Sequence, residues 1–240
     1  MASGKLRKLD FPRPLTTVDV VVFTVREGVL QVLLVKRPSE AGEPFPGEWA
    51  LAGGFVDVKI DATLEACALR KLQEKTGVRS PYLEQVGSWG DAVRDPRGWS
   101  ATHLYLAMLA SDGIKIQAAG NAADAQWMPV RGDRLPVRLA FDHDILFSAA
   151  LARVRGKSEY TSLPLHLLPR EFTLTELQRV FEIVLDRTLE KKAFRTRILA
   201  SGLLEATDEL RETSRRPAQL YRAKRRPGLM YFPRALESSR

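Results

Sequence analysis

The chain has 240 residues, of which 45% are apolar and 28% charged, with a formal net charge of +8. This is enough for one large or two modest cores, and it excludes a disordered or fibrous protein. No apolar run approaches the roughly 20 residues of a membrane span. Lys5, Arg7 and Lys8 are followed by Asp10, Arg13 and Asp19 rather than by the apolar stretch of a secretory signal. The single cysteine, Cys67, excludes an intramolecular disulfide and a cysteine-rich metal site, so a cytoplasmic protein is expected. The charge is uneven. Residues 1–150 hold 18 Lys and Arg against 18 Asp and Glu, whereas residues 151–240 hold 19 against 11. The C-terminal part is therefore the candidate for polyanion binding.

In chain order, residues 17–25 and 29–36 are β-rich, with Arg26-Glu27-Gly28 as a hairpin turn. A Pro/Gly-rich loop runs from Pro38 to Gly47, and Trp49 to Ala52 reads as a strand broken by Gly53-Gly54. Leu64, Cys67, Ala68 and Leu72 recur at helical spacing before a stop at Gly77, with Cys67 read as a small buried hydrophobe. Strands are expected at Glu84–Gly90, Ser100–Ala110 and Ala125–Pro129, then an amphipathic helix at Phe141–Arg155. Residues 1–155 thus read as one mixed α/β sandwich domain. Gly156–Pro169 reads as a linker into a second domain, residues 156–240. There Thr173-Leu174-Thr175-Glu176 is a capping box opening a helix striped with Leu177, Val180, Phe181 and Val184. A turn at Asp186-Arg187-Thr188 leads to a second helix, Glu190 to Ser201, stopped by Gly202. Short strands at Leu203-Leu204 and Leu220-Tyr221 flank a turn rich in Arg211, Arg215 and Arg216. Helix, turn, helix and basic hairpin make a winged-helix pattern.

Arg70-Lys71-Leu72-Gln73-Glu74-Lys75-Thr76-Gly77-Val78, after Gly53-Gly54-Phe55-Val56, resembles the box of the Nudix superfamily. A working box sets three glutamates at i, i+3 and i+4, on one helix face, where carboxylate oxygens hold Mg2+ against a diphosphate. Here those positions are Lys71, Glu74 and Lys75. A lysine about 4 Å from a divalent ion would cost roughly 8 kcal/mol at an effective dielectric of about 20, so metal-assisted hydrolysis is not expected. The resemblance covers residues 15–155 and implies a Nudix-like α/β/α sandwich. Gly54, Arg70 and Gly77 match the family pattern. The Gly54-to-Arg70 spacing is longer than usual, leaving Asp61 as the nearest counterpart of the first acid, and Ala52 replaces a frequent proline. The family's arginine braces helix and loop by ion pairing, which is the expectation for Arg70. Glu74 is either a leftover ligand or Arg70's partner. Lys71 or Lys75 is the candidate counter-charge to a bound diphosphate, with Arg37, Gly54 and Phe55 beside it.

Arg94-Asp95-Pro96-Arg97-Gly98-Trp99-Ser100 resembles the substrate-side loop of ADP-ribose-handling Nudix proteins. Arg94 and Arg97 offer bidentate donors and Trp99 a flat face. In the second domain, Lys191, Lys192, Arg195 and Arg197 crowd one helix, whose buried side is expected to be Phe194, Ile198 and Leu199. Together with Arg215, Arg216, Gln219 and Tyr221 on the wing and the Lys224-Arg225-Arg226 cluster, they are the candidate DNA contacts.

With Leu139-Ala140-Phe141-Asp142-His143, Phe172 to Gln178 and Arg216-Pro217-Ala218-Gln219-Leu220-Tyr221 added, the chain resembles the Nudix-related transcriptional regulators (NrtR) over nearly its whole length. That resemblance implies a homodimeric bacterial repressor of NAD-metabolism genes, bound to a palindromic double-stranded operator. It also implies an effector, ADP-ribose or a related NAD-derived nucleotide, and no required cofactor or metal. Two alternatives stay open: an active ADP-ribose pyrophosphatase with a basic tail, in which Glu65, Asp91 or Asp95 completes a metal site, and a sugar-sensing regulator of the same architecture.

Overall fold

The computed structural model describes residues 12–78, 82–112, 122–212, 216–224 and 229–232. Its N-terminal part is organised by Leu15–Arg26 (β1), a valine-rich strand whose residues 17–24 are all buried. The other elements of this part are Val29–Lys36 (β2), Trp49–Ala50 (β3), Ala52–Phe55 (β4), Leu64–Thr76 (α1), Tyr82–Asp91 (β5), Ser100–Met108 (β6), Asp124–Pro129 (β7) and His143–Ser158 (α2). Among the described residues the strands form one mixed seven-stranded sheet, ordered β3-β2-β1-β6-β5, with β4 paired to β1 and β7 to β2. β1 runs parallel to β6 and antiparallel to β2 and β4.

Side-chain alternation along β1 divides the core. Val18, Val20 and Val22 face α1, packing with Leu33, Val35, Tyr105 and the helix residues Cys67, Ala68 and Leu72. Val21 and Phe23 face the other way, toward Leu146, Phe147 and Leu151 of α2. The result is the expected α/β/α sandwich. Helix α1 is capped by Thr63, whose hydroxyl accepts from the Ala66 N–H, and is closed by Gly77 in the left-handed region at φ 70°. Helix α2 starts later than expected because Phe141 has a φ of 57°, outside helical geometry.

The C-terminal part comprises Phe172–Thr173 (β8), Leu174–Leu185 (α3), Lys191–Ala200 (α4), Leu204–Arg211 (β9) and Ala218–Ala223 (β10). The capping box is reciprocal: Thr173 accepts from the Glu176 N–H, and the Glu176 carboxylate accepts from the Thr173 N–H. The three strands order β8-β10-β9 and form the wing, with both hairpin strands longer than the expected pairs of residues. Glu190 caps α4 by accepting from the Lys192 and Ala193 N–H groups.

The expected linker is corrected. Helix α2 runs on through Lys157 to Ser158, so the 155/156 boundary falls inside it. Residues Leu163–Leu167 then form a 3-10 turn with Leu163, Pro164 and Leu167 buried. Proline is tolerated in the first turn of a helix, so Pro164 does not signal a break there. Residues near the C-terminus dock on this turn: the Ser162 N–H donates to the Met230 carbonyl (2.9 Å) and the Phe232 N–H to the Tyr160 carbonyl (2.7 Å). Phe23, Phe147, Leu163, Phe172, Phe181, Phe194 and Phe232 all belong to a single apolar cluster, so the sandwich and the winged helix share a core.

Candidate functional site

The box helix carries an ion-pair chain rather than a carboxylate cluster. Arg70 donates from Nε to Asp61 Oδ1 at 2.7 Å and from Nη2 to Asp61 Oδ2, and its Nη1 donates to Glu74 Oε1 at 2.8 Å. The Asp61 side chain is 2% exposed, and the Arg70 hydrogen bonds hold its carboxyl well below the usual carboxylate range. Lys71 Nζ donates to the other Glu74 oxygen at 3.3 Å, while its stem lies over Gly54. Burial works to raise the Glu74 pKa, yet the bonds from Arg70 and Lys71 outweigh it and keep the carboxyl below its ordinary value. Cys67 is enclosed in this cluster, and burial pushes its thiol up to about 12. Asp61 and Glu74 are thus spent on cations. Among the described residues no three His, Cys, Asp or Glu side chains are grouped to hold a metal ion.

Beside the box a cleft opens between the sheet, α1 and the loops entering β6 and α2. Arg37, Gly54, Lys75, Arg94 and Arg97 all line it. Arg37 donates to the Pro44 carbonyl at 2.8 Å and to Glu43 at 2.9 Å. Arg97 forms a two-point pair with Asp95 at 3.0 and 2.8 Å. Both guanidiniums lie on Phe141, with their central carbons 4.8 and 5.9 Å from the ring centroid, and Arg97 also covers Phe55 at 4.9 Å. Lys75 differs from these: among the described residues no carboxylate lies within ion-pairing distance of it. Burial lowers its pKa, and the neighbouring Lys71 and Arg37 add to the shift.

Four residues that the sequence singled out for ligand contact sit differently. Arg94 reaches the cleft wall, but its guanidinium is bound to both oxygens of Asp142 (3.0 and 2.9 Å) and to Ser100 Oγ (3.1 Å). It ties the β6 approach to the start of α2. Trp99 lies outside the cleft, half-exposed, with its ring over Gly90. Lys71 pairs with Glu74, which is also paired with Arg70.

The sequence reading missed Asp19 and His143. Both are buried on the cleft floor, with His143 Nε2 3.5 Å from Asp19 Oδ1. His143 Nδ1 accepts from the Leu51 N–H at 3.0 Å, which fixes the neutral tautomer with its proton on Nε2. Burial lowers the His143 pKa, opposed by Asp19 and Asp142. Asp19 also accepts from Thr102 at 2.7 Å, and its Oδ1 would lie 2.2 Å from any Cβ at Gly53. An acid inside the run Val18-Asp19-Val20-Val21-Val22 was the available signal, because a carboxylate on a buried strand needs dedicated partners.

On the winged helix, Lys191 and Lys192 are exposed on α4. Arg195 is turned inward: it donates from Nη2 to Thr175 Oγ1 at 3.1 Å, and its Nε is buried. Arg197 flanks the same helix and Arg216 is exposed at the foot of β10. Gln219 donates its amide to backbone carbonyls of Thr207, Glu209 and Leu220, so it holds the wing's irregular register rather than facing outward. The Tyr221 ring packs on the shared core. Leu199, expected inside, is 49% exposed. Arg215, Arg225 and Arg226 lie outside the described residues.

Family models divide the chain in the same way. Residues 14–144 match the NUDIX domain and residues 164–223 the NrtR DNA-binding winged helix domain. Fold and sites together define a Nudix domain joined to a winged-helix DNA-binding domain. More narrowly, the chain belongs to the Nudix-related transcriptional regulator (NrtR) family. It is 48% identical to the ADPR responsive transcriptional repressor NtrR of Acinetobacter baylyi, over 99% of this chain and 93% of that one. The crystal structure of Shewanella oneidensis NrtR complexed with a 27mer DNA superposes with a TM-score of 0.81 at 39% identity, covering 92% of this chain and 99% of that one. The NUDIX domain of the same regulator complexed with ADP ribose gives 0.54 at 43% identity, covering 60% and 90%.

Proposed function

We propose that this protein is a transcriptional repressor that acts in the cytoplasm as a homodimer on palindromic operators of NAD-metabolism genes. ADP-ribose, or a related NAD-derived nucleotide, binds the cleft without being hydrolysed and alters operator affinity. One observation carries the reading: the box helix turns Lys75, a cation with no carboxylate within ion-pairing distance among the described residues, toward a cleft where a hydrolase would need carboxylates. Lys75 is the counter-charge to the diphosphate, and Arg37, Arg97, Phe55 and Gly54 are its neighbours in the ligand site. Lys71, Glu74 and Arg94 support that site from behind. Lys191, Lys192, Arg197 and Arg216 supply phosphate contacts, with Arg195 and Gln219 setting the angle of helix and wing.

Helix α2 couples the two parts. Its first turn is tied to the cleft by the Arg94–Asp142 pair. Near its other end Arg155 donates to the Val184 carbonyl at 3.2 Å and pairs with Asp186 at 3.4 Å, both at the end of α3. A ligand that shifts the cleft wall therefore moves the winged helix. The test is a gel shift on DNA upstream of the protein's own gene, with and without ADP-ribose, beside an assay of ADP-ribose hydrolysis in excess Mg2+ or Mn2+. Operator binding that responds to ADP-ribose is expected. Robust turnover, or binding indifferent to the nucleotide, would overturn the reading.

A further inference from the structure

The outward face of α4 follows from its helical geometry. At 3.6 residues per turn, Phe194 and Ile198 point into the core and Thr196 points directly away from it, with Lys192 and Leu199 to one side. Ala193 and Ala200 border that outward face, and both are exposed. The two arginines of the helix lie on its flanks, half-buried, and Arg195 is held by Thr175. Between those flanking arginines, the outward strip of α4 presents Lys192, the Thr196 hydroxyl with its methyl, and the exposed Leu199. It has no Arg, Asn or Gln, the side chains that form two-point hydrogen bonds with guanine or adenine.

Leu199 is half-exposed about two helical turns along α4 from Lys192, on a helix flanked by cations. Leu199 and the Thr196 methyl can make close carbon contacts with the one apolar group the major groove displays, the C5-methyl of thymine. The small Ala193 and Ala200 let the helix approach that closely. We infer that α4 discriminates its operator chiefly by contacts of Leu199 and Thr196 with thymine methyl groups, with Lys192 anchoring a phosphate. This inference rests on the DNA-binding reading above.

The experiment begins by selecting operators from random duplexes with the full-length chain. Each thymine of the selected half-site is then replaced by uracil, which removes only the methyl, and affinity is followed by fluorescence anisotropy. At least one replacement per half-site should weaken binding about fourfold, the effect of one buried methyl-sized group. That sensitivity should vanish in Leu199→Ala or Thr196→Ser, while the salt dependence stays as in the parent because phosphate contacts are untouched. Tight, selective binding indifferent to every uracil replacement would overturn the inference. So would Arg195→Ala relaxing selection at a G·C pair with no methyl effect elsewhere. Failure to select any operator would instead defeat the DNA-binding reading itself.

Discussion

Replacing Lys75 by methionine separates the two lysines of the box. Lys71 is already neutralised by Glu74 at 3.3 Å and its stem is packed on Gly54. Removing it should cost at most about 1 kcal/mol, the ceiling for an exposed pair, or roughly fivefold in affinity. Lys75 has no such partner among the described residues and stands in the cleft with Arg37 and Arg97, whose charges are balanced by Glu43 and Asp95. Arg37, Arg97 and Lys75 with Glu43 and Asp95 sum to one positive charge, and Lys75→Met removes it. A hydrogen bond to a charged group contributes about 1.5–3 kcal/mol, so ADP-ribose should bind about 10- to 150-fold more weakly.

Calorimetry with ADP-ribose in a chelating buffer reads both variants, and unfolding curves show whether they stay intact. The methionine keeps the apolar stem, and it removes a partly buried cation placed near Lys71 and Arg37, so the unliganded protein should lose no stability. The pH dependence has a definite sign. Because the Lys75 pKa lies below the ordinary 10.5, its charge is lost as pH rises toward that value. Wild-type affinity should therefore fall on the alkaline side, and that of Lys75→Met should not follow it. A Lys71→Met defect as large as that of Lys75→Met would refute the assignment, as would unchanged affinity in both.

His143 is buried and its pKa lies below 6.5, so the unfolded chain binds more protons there than the folded one. Its contribution is present above pH 6.5 and is lost as pH falls through the lowered value. His143→Asn, which keeps an acceptor for the Leu51 N–H, should flatten the acid limb of stability when urea midpoints are compared across pH 5 to about 7.5. Arg155→Ala should leave ADP-ribose and operator each bound, while the ratio of operator affinities with and without nucleotide moves toward one in anisotropy titrations. Lys192→Ala should reduce the slope of log affinity against log salt by about 0.9, as expected for one lost phosphate contact.

The elements of the sandwich were legible because their signals are local. β1 is a run of valines, α1 has a threonine cap and a glycine stop, and the Thr173–Glu176 box is complete within four residues. The segment 156–169 misled because two prolines and a glycine suggest a loop. Leu163, Leu167 and Leu168 are buried in the cluster that also holds Phe181 and Phe232, partners that only the tertiary fold supplies. The same limit applies to the site. Arg94 and Arg97 are equally basic in the sequence, but Asp142, 48 positions later, takes up Arg94, whereas Asp95 leaves Arg97 on the cleft rim with its side chain 38% exposed. Arginines on α4 could not be sorted into readers and braces without knowing where Thr175 falls.

A shared core also sets the size of signal that regulation needs. A tenfold change in operator affinity corresponds to about 1.4 kcal/mol, the scale of a single hydrogen bond to a charged group. The Arg94–Asp142 pair at one end of α2 and the Arg155 contacts at the other are bonds of that kind. Between them Phe147, Leu151 and Val154 are buried in the cluster that holds Phe181 of α3, so a shift of the helix as a body is the expected response. A ligand can shift this arrangement only by its difference in affinity for two positions of α2. Linkage then makes the effect reciprocal: under the proposed function, operator DNA changes ADP-ribose affinity by the same factor as ADP-ribose changes operator affinity. Under the proposed function, the cleft and α4 are therefore two readouts of one equilibrium in the placement of α2.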